Sequence, residues 1–455
     1  MSKIQVNEIV NHFDTGAPDC PKGLTVTGVT TSVNISAVNI SATNVSVIGV
    51  STLGNVVVGG ATTDLVVNGN ARVTGILTIG TASVTLNGND GTISGINTVN
   101  SVSFPSTGPL SNRNIIINGA MQVAQRATSV TSIVNTATTY ATIDRMNHSF
   151  NSYGAWTSTQ ESDGPDGFSK SWKVNCTTAN SVLSASDFAT LIYRIEGQDL
   201  QHLKYGTSSA EDTVFSFWVK SNKTGAASWE MTQGDNTNKQ FCTSYTINAA
   251  NTWEYKTITI PGDTAGVIND DNGNAIQILW WLGTGSDYTG GTHATTWEAS
   301  NNFNRNVSDL ACGMTDGDYF QITGLQWELG TQATPFEHRS FGDELKRCER
   351  YFEKSFTYSS PVGTATANGA LSQRKTSNTT AYTGFQIRYG TRKRATPTVG
   401  LYNTNNSTVG QIRSNGANVG AATLNSNEMG FTVNTTTSQG ANVIQSMHYT
   451  AAAEL

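Results

Sequence analysis

The sequence predicts an all-β chain: a fibrous intertwined β shaft, then a jelly-roll-like β-sandwich, one short helix and a smaller C-terminal β-sandwich. Three observations carry that prediction. Only 13% of the 455 residues are Asp, Glu, Lys or Arg while 44 are Gly, a mixture that suits short strands and turns better than helices. A pentad texture runs through part of the early chain. Period-two alternation of apolar residues recurs through the middle and the end, the pattern of strands with one buried face.

Residues 1–23 read as a small head that ends in the turns Gly16-Ala17-Pro18 and Cys20-Pro21-Lys22-Gly23. Residues 24–111 read as the shaft. From Leu24 to Leu110 the only charged residues are Asp64, Arg72 and Asp90, and the only aromatic is Phe104, too little bulk for a conventional globular core. Ser32-Val33-Asn34-Ile35-Ser36, Ala37-Val38-Asn39-Ile40-Ser41 and Ala42-Thr43-Asn44-Val45-Ser46 repeat one motif, and units of this kind bury their apolar side only by stacking on a neighbour. Further on, Asp64-Leu65-Val66-Val67-Asn68-Gly69 and Ala71 to Gly80 alternate short β runs with glycine turns. Several identical chains wound together would cover these strands and remove their loose edges. This favours a three-stranded intertwined shaft; the alternative is a single-chain β-solenoid.

Residues 112–339 read as the jelly-roll-like sandwich. Phe215, Phe217 and Val219 share one face of a strand, Ile276, Ile278, Trp280 and Leu282 share another, and Leu325, Trp327 and Leu329 a third. All nine Trp lie between Trp156 and Trp327, so this segment can bury a real core. Residues 340–356 read as the helix, with Phe341, Leu345, Cys348 and Phe352 at heptad-like steps. About three turns are too few to be stable alone, so the helix must pack on its own domain or on symmetry mates as a trimeric coil, the second being favoured. Residues 357–455 read as the second β module, with alternation at Phe385, Ile387 and Tyr389, at Met429, Phe431 and Val433, and from Val443 to Tyr449. Its seven basic residues from Arg374 to Arg413 face only Glu428 and Glu454.

The net charge of -6 gives no positive field, which argues against a nucleic-acid partner. No apolar run approaches the length of a transmembrane helix, and Met1 to His12 lacks the apolar core of a signal peptide, so membrane insertion is not expected. Five single, widely spaced cysteines (20, 176, 242, 312, 348) suit buried reduced thiols and assembly in a reducing cytoplasm.

Catalytic signatures are missing: there is no G-x-S-x-G, Walker loop, dinucleotide fingerprint or H-E-x-x-H. The six His are isolated, and no metal or cofactor is expected. A glycosidase needs two carboxylates flanking a sugar cleft; the shaft offers Asp64 and Asp90 without aromatic lining, and the acids of the sandwich are scattered through polar loops. Sugar binding without catalysis is easier to support, because aromatic rings stack on pyranose faces while neighbouring polar groups hold the hydroxyls. The candidate patch is Trp281, opposite the Ile276-Trp280 face, with Asp287, Tyr288, His293 and Trp297 from the loop beyond; the alternative is that both faces of that strand are buried. A second candidate is the basic cluster Arg388, Arg392, Lys393 and Arg394, placed to meet anionic lipopolysaccharide or, equally, acidic residues of a neighbouring domain or subunit. Asp270, Asp271, Asn272 and Asn274 are better explained as a tight turn than as a calcium site.

Two stretches resemble a known family. Asn112-Arg113-Asn114-Ile115-Ile116-Ile117-Asn118-Gly119-Ala120-Met121, continuing to Arg126, is similar to the opening of a module common in bacteriophage tail-fibre proteins. Ile322-Thr323-Gly324-Leu325-Gln326-Trp327-Glu328-Leu329-Gly330, followed by Ala333 to Leu345 and Arg350-Tyr351-Phe352, is similar to its close. Tyr193 to Gln198 and Ser216 to Ser221 match between them, and the head and shaft resemble those of fibres from marine phages, cyanophages in particular. The resemblance implies a homotrimeric virion fibre whose residues 1–23 dock on a phage tail or adaptor protein. Its distal modules would meet a host cell-surface glycan or outer-membrane protein. It carries over no catalytic residue, and its motifs read as folding determinants. A polysaccharide-degrading tailspike enzyme and a non-adhesive virion decoration protein are the alternatives.

Overall fold

The computed structural model describes residues 111–235, 239–375, 385–436 and 440–455 (136–138 by backbone alone), Gly108, and the backbone of five short strands between Ile76 and Ser103. The head and the pentads lie outside the described residues. The chain divides between Val73 and Thr74, and every described element belongs to the second unit. Ile76–Thr78, Thr85–Asn87 and Thr92–Ser94 pair with one another as an antiparallel meander, and Thr98–Val99 pairs with Val102–Ser103. Intertwining of 24–75 falls outside the described residues.

The architecture is all-β, as expected, and the sandwich has two antiparallel sheets. Six strands run in the order Glu254–Ile260, Thr213–Ser221, Tyr319–Leu329, Ser171–Thr178, Ala155–Glu161, Ser129–Ile133. Seven run in the order Glu298–Ala299, Lys239–Ile247, Gly225–Gln233, Asn274–Thr284, Phe188–Glu196, Met146–Asn151, Thr136–Thr139. The alternation does what the sequence implies: Phe215, Phe217, Val219, Ile276, Ile278, Trp280, Leu282, Leu325 and Trp327 all point inward and are fully buried. Their rings interlock, with Phe215 5.3 Å from Trp229 and 5.6 Å from Trp280. Each fully buried Trp removes about 200 Å² from water, a gain of roughly 4–6 kcal/mol before ordering costs.

The two stretches that carry the family resemblance close on each other. The Ile115 amide donates to the Trp327 carbonyl (2.9 Å) and the Leu325 amide to the Gly119 carbonyl (3.0 Å). Asn114 Nδ2 donates to the Leu325 carbonyl (3.0 Å), and its backbone amide to Glu337 Oε2 (2.9 Å). Arg339 donates to the Asn114 and Ile116 carbonyls and pairs with Glu344 at 2.9 Å, while Glu344 Oε2 accepts the Asn118 amide. Buried backbone at the mouth of the sandwich is thereby satisfied by side chains from the segment beyond the last strand.

That segment holds the α-helix found among the described residues, Phe341–Glu349, shorter than the expected 340–356. Ser340 caps it by accepting the Asp343 amide, and Asp343 and Glu344 at its start with Lys346 and Arg347 at its end suit the helix dipole. Of the seam expected to meet symmetry mates, Cys348 and Phe352 are buried by the chain itself, Leu345 is half-buried and Phe341 stays exposed. Cys348 and Tyr351 pack with Ile117 and Val123, with Leu345 at their edge, and Phe352 opens a strand, Phe352–Lys354, that pairs with Ala452 to Thr450. The C-terminal module therefore begins before residue 357. Its long strand Ile444–Ala452 is flanked by Phe352–Lys354 and Thr398–Tyr402 at one end and by Leu371–Arg374 and Gln411–Ser414 at the other. Phe385, Tyr389, Phe431, Val433, Met447 and Tyr449 form its core. Met429, expected inward with Phe431 and Val433, is 46% exposed.

Charge fastens this module to the sandwich. Glu454 accepts from Arg126 and Arg145, both at 2.9 Å. Arg145 is buried with its guanidinium 3.4 Å from the Tyr351 ring centroid. Arg350 forks onto both Glu196 oxygens at 2.8 and 2.6 Å. Bidentate Arg–carboxylate pairs fix orientation as well as distance.

Candidate functional site

Trp281 sits where the alternation puts it, on the outer side of its strand, but it is not a platform. Only 2% of it is exposed. The Tyr288 ring lies 5.2 Å away and Phe188 6.2 Å, and the Arg305 guanidinium stands 4.9 Å over the indole. Indole Nε1 donates to Glu230 Oε2 at 2.8 Å, and Arg305 Nε holds the same carboxylate at 2.9 and 3.1 Å. The loop expected to leave the ring open folds back as its roof, because the ring, a buried carboxylate on the same outer face and an arginine satisfy one another there. Of the expected companions Tyr288 gathers on it, as part of that roof, and the others engage different partners. Asp287 lies half-buried in the turn Ser286–Tyr288, and His293 Nε2 is 3.1 Å from Ser308 Oγ. Trp297 packs elsewhere, on Tyr205 (5.9 Å) and Phe241 (6.1 Å), with Nε1 donating to the Pro261 carbonyl at 2.7 Å.

The basic cluster divides. Lys393 is buried, pairs with Glu353 at 2.7 Å and donates to the Glu349 carbonyl. Burial pushes its pKa down, partly offset by Glu353. Arg394 donates to the carbonyls of Asn272 (2.5 Å), Ala453 (2.8 Å) and Glu454 (2.9 Å), so it joins module to sandwich. Arg388 and Arg392 remain exposed, Arg392 in a 2.7 Å pair with Glu428. Between the modules Arg350, Arg392, Lys393 and Arg394 line an open cleft of about 590 Å³ with Gln198, Asn272 and Glu428. Their carboxylate and carbonyl partners already take up most of this positive charge. Asp271 Oδ1 accepts the Gly273 amide at 2.7 Å, the geometry of a turn. Among the described residues no three His, Cys, Asp or Glu side chains gather as a metal would require.

A different surface assembles aromatic and polar groups that sequence spacing did not connect. On the outer face of the six-stranded sheet Trp218 stands opposite Tyr255 in register, and Lys220 opposite Gln321. The Trp218 and Tyr255 rings are 5.3 Å apart at 49°. Asp163, from a loop, accepts from Lys220, from Trp253 Nε1 (3.4 Å) and from Gln321 Nε2 (3.2 Å). Tyr319 donates to Asn251 Oδ1 at 2.7 Å, and the Lys173 ammonium lies 4.6 Å from the Tyr319 ring centroid. Burial raises the Asp163 pKa, but the hydrogen bonds from Lys220 and Trp253 outweigh it and hold the carboxylate below its ordinary value. The signal in the sequence was the outward position of Trp218 between Phe217 and Val219. Trp253, Asp163 and Tyr319 come from distant segments, and only the strand order brings them together.

No family profile matches the chain, and no curated protein matches it. Among solved structures it is similar to the enzymatically active domain of bacteriophage CBA120 tailspike protein 4, at 12% identity and a TM-score of 0.25, over 48% of this chain and 21% of that one. It is also similar to a family 11 carbohydrate-binding module of a Clostridium thermocellum cellulosomal cellulase, at 12% identity and a TM-score of 0.22, over 45% of this chain and 100% of the module. A third similarity is to TmCBM61 in complex with β-1,4-galactotriose, at 10% identity and a TM-score of 0.23, over 49% of this chain and 100% of that one. Likeness of this degree carries no weight for activity or ligand.

Proposed function

We propose that the chain is the subunit of a bacteriophage tail fibre or related adhesin. Residues 24–111 supply a trimeric shaft, and the sandwich with its C-terminal module forms the distal part that meets a host glycan or outer-membrane protein. The observation that carries this is the joint between residues 112–126 and 322–352. The motifs of the family resemblance form one hydrogen-bonded lock between Asn114, Glu337, Arg339 and Glu344, which supports a firmly closed distal module directly following a segment of fibrous composition. Residues 1–23 dock on a tail or adaptor protein in the virion, and the chain acts by binding rather than by cutting. Three chains on one shaft turn weak contacts into firm attachment through effective concentration.

Native mass spectrometry of the full chain tests the shaft, with three copies expected; a monomer removes the fibre reading. Adsorption of the labelled chain to a panel of marine cyanobacterial strains tests attachment, with competition against phage infection expected on at least one strain. Release of sugar fragments from those envelopes would point to a tailspike enzyme instead.

A further inference from the structure

We infer that the outer face of the six-stranded sheet around Trp218, Trp253, Tyr255 and Tyr319 is a binding surface for a neutral pyranose chain. This deepens the attachment reading by naming a surface and a ligand chemistry. The rings are held before any ligand arrives. Trp253 Nε1 is engaged by Asp163 and the Tyr319 hydroxyl by Asn251, so these rings have their polar atoms satisfied at the edge. Trp218 is seated by a backbone kink: Gly324 has a φ of +65°, and a Cβ there would lie 2.9 Å from Trp218 Cδ1 and 2.9 Å from Phe168 Cζ. Only glycine relieves both constraints. Tyr255 is 44% exposed and the Asp163 side chain 47% exposed, which leaves a ring and a hydrogen-bonding carboxylate open to solvent. Pre-ordered rings lose little entropy on binding.

Charge selects the occupant. Lys220 is matched by Asp163 and the Lys173 ammonium lies against the Tyr319 ring, 4.6 Å from its centroid, so both lysines are already engaged and, with the Asp163 carboxylate beside them, give an anion little advantage. The exposed polar groups beside the rings, Asp163 and Asn251, suit hydroxyls, and the rings suit the C–H faces of a sugar. A flat, uncharged, hydroxyl-rich chain answers both.

The test applies the full chain, and its Trp253→Ala/Tyr255→Ala variant, to an array of neutral and acidic oligosaccharides. Binding to neutral hexopyranose oligomers is expected, weakened at least about tenfold in the variant with the melting temperature unchanged. Tyr255→Phe should keep the affinity, because the ring rather than the hydroxyl is used. Binding confined to acidic glycans, binding indifferent to the double variant, or no binding to any sugar would overturn the inference. Loss of binding in Arg388→Ala/Arg392→Ala instead would move the site to the basic cleft and also overturn it, as would a self-association abolished by the aromatic variant. Failure on the array while the chain still adsorbs to cells would remove this site and leave attachment standing; failure of both removes both.

Discussion

The two outer faces of the sandwich start from the same local pattern and end differently. Trp281 points outward between the inward Trp280 and Leu282, and Trp218 points outward between the inward Phe217 and Val219. After Thr284 the chain takes a long excursion before its next long strand. It returns over Trp281, held by the Gly285 amide on the Asp187 carbonyl (2.8 Å), the Asn306 amide on the Tyr288 carbonyl (2.9 Å) and Asn306 Nδ2 on Thr284 (2.9 Å). After Ser221 the chain crosses at once to Gly225–Gln233 in the other sheet, leaving no excursion of its own to cover Trp218. Alternation along a strand decides which way a ring points. The length and chemistry of the following loop decide whether that ring becomes core or surface.

The largest expected effect separates the faces directly. Trp281→Ala removes a buried indole and leaves Glu230 without one donor, which should cost about 3–5 kcal/mol. Trp253→Ala, on the open face, should cost less than about 1 kcal/mol. Urea unfolding of the full chain measures both, and equal losses would erase the distinction between roofed and open. The interior between the faces should respond to acid nearly as strongly. His148 is buried against Phe150, 4.9 Å away, and desolvation lowers its pKa from 6.5 to about 4. Between those values the unfolded chain binds a proton that the folded one does not. Stability should therefore fall as pH drops from 6.5 toward 4, by on the order of 3 kcal/mol at the limit. His148→Phe should flatten that slope, and an unchanged slope would place the acid response elsewhere. Next in size, Arg305→Met strips the guanidinium from fully buried Glu230 and should cost about 2–3 kcal/mol, part of it recovered by adding Glu230→Gln. Full additivity of the two would mean that the roof is not fastened by this pair.

The same contrast explains what was legible in the sequence. Inward strand faces were readable because period-two alternation is local, and Trp280 and Trp281 do fall on opposite faces. The fate of Trp281 was not readable, since Arg305 and Glu230 come from other segments. The helix seam at Leu345 and Cys348 was visible, but not that Ile117 and Val123 would cover it. The charge of residues 388–394 was plain from composition. That Glu353 and the carbonyls of Asn272, Ala453 and Glu454 would absorb Lys393 and Arg394 was not. The Trp218 face was hidden because Trp253 stands just before its strand and Asp163 lies in a loop, so neither belongs to the alternation that marks Trp218.

The smallest effect tests whether the open face is held by its own turn rather than by a roof. Glu254 accepts the backbone amides of Asn248 (2.8 Å) and Ala249 (2.7 Å), Asn248 Nδ2 (2.8 Å) and the Lys256 ammonium (2.6 Å). Burial works against its ionisation, but Lys256 and the amides outweigh that and hold its pKa at about 2, against an ordinary 4.5. A depressed carboxylate gives stability that is complete above its unfolded pKa and is lost as pH falls through its folded one. Glu254→Gln should therefore show a shallower loss of melting temperature than the parent chain between pH 4.5 and 2, the difference being small because the group borders solvent. An acid response at Glu254 as large as that at His148 would mean that this turn is anchored as deeply as the core, and the open face would then owe its rigidity to the same burial that roofs Trp281.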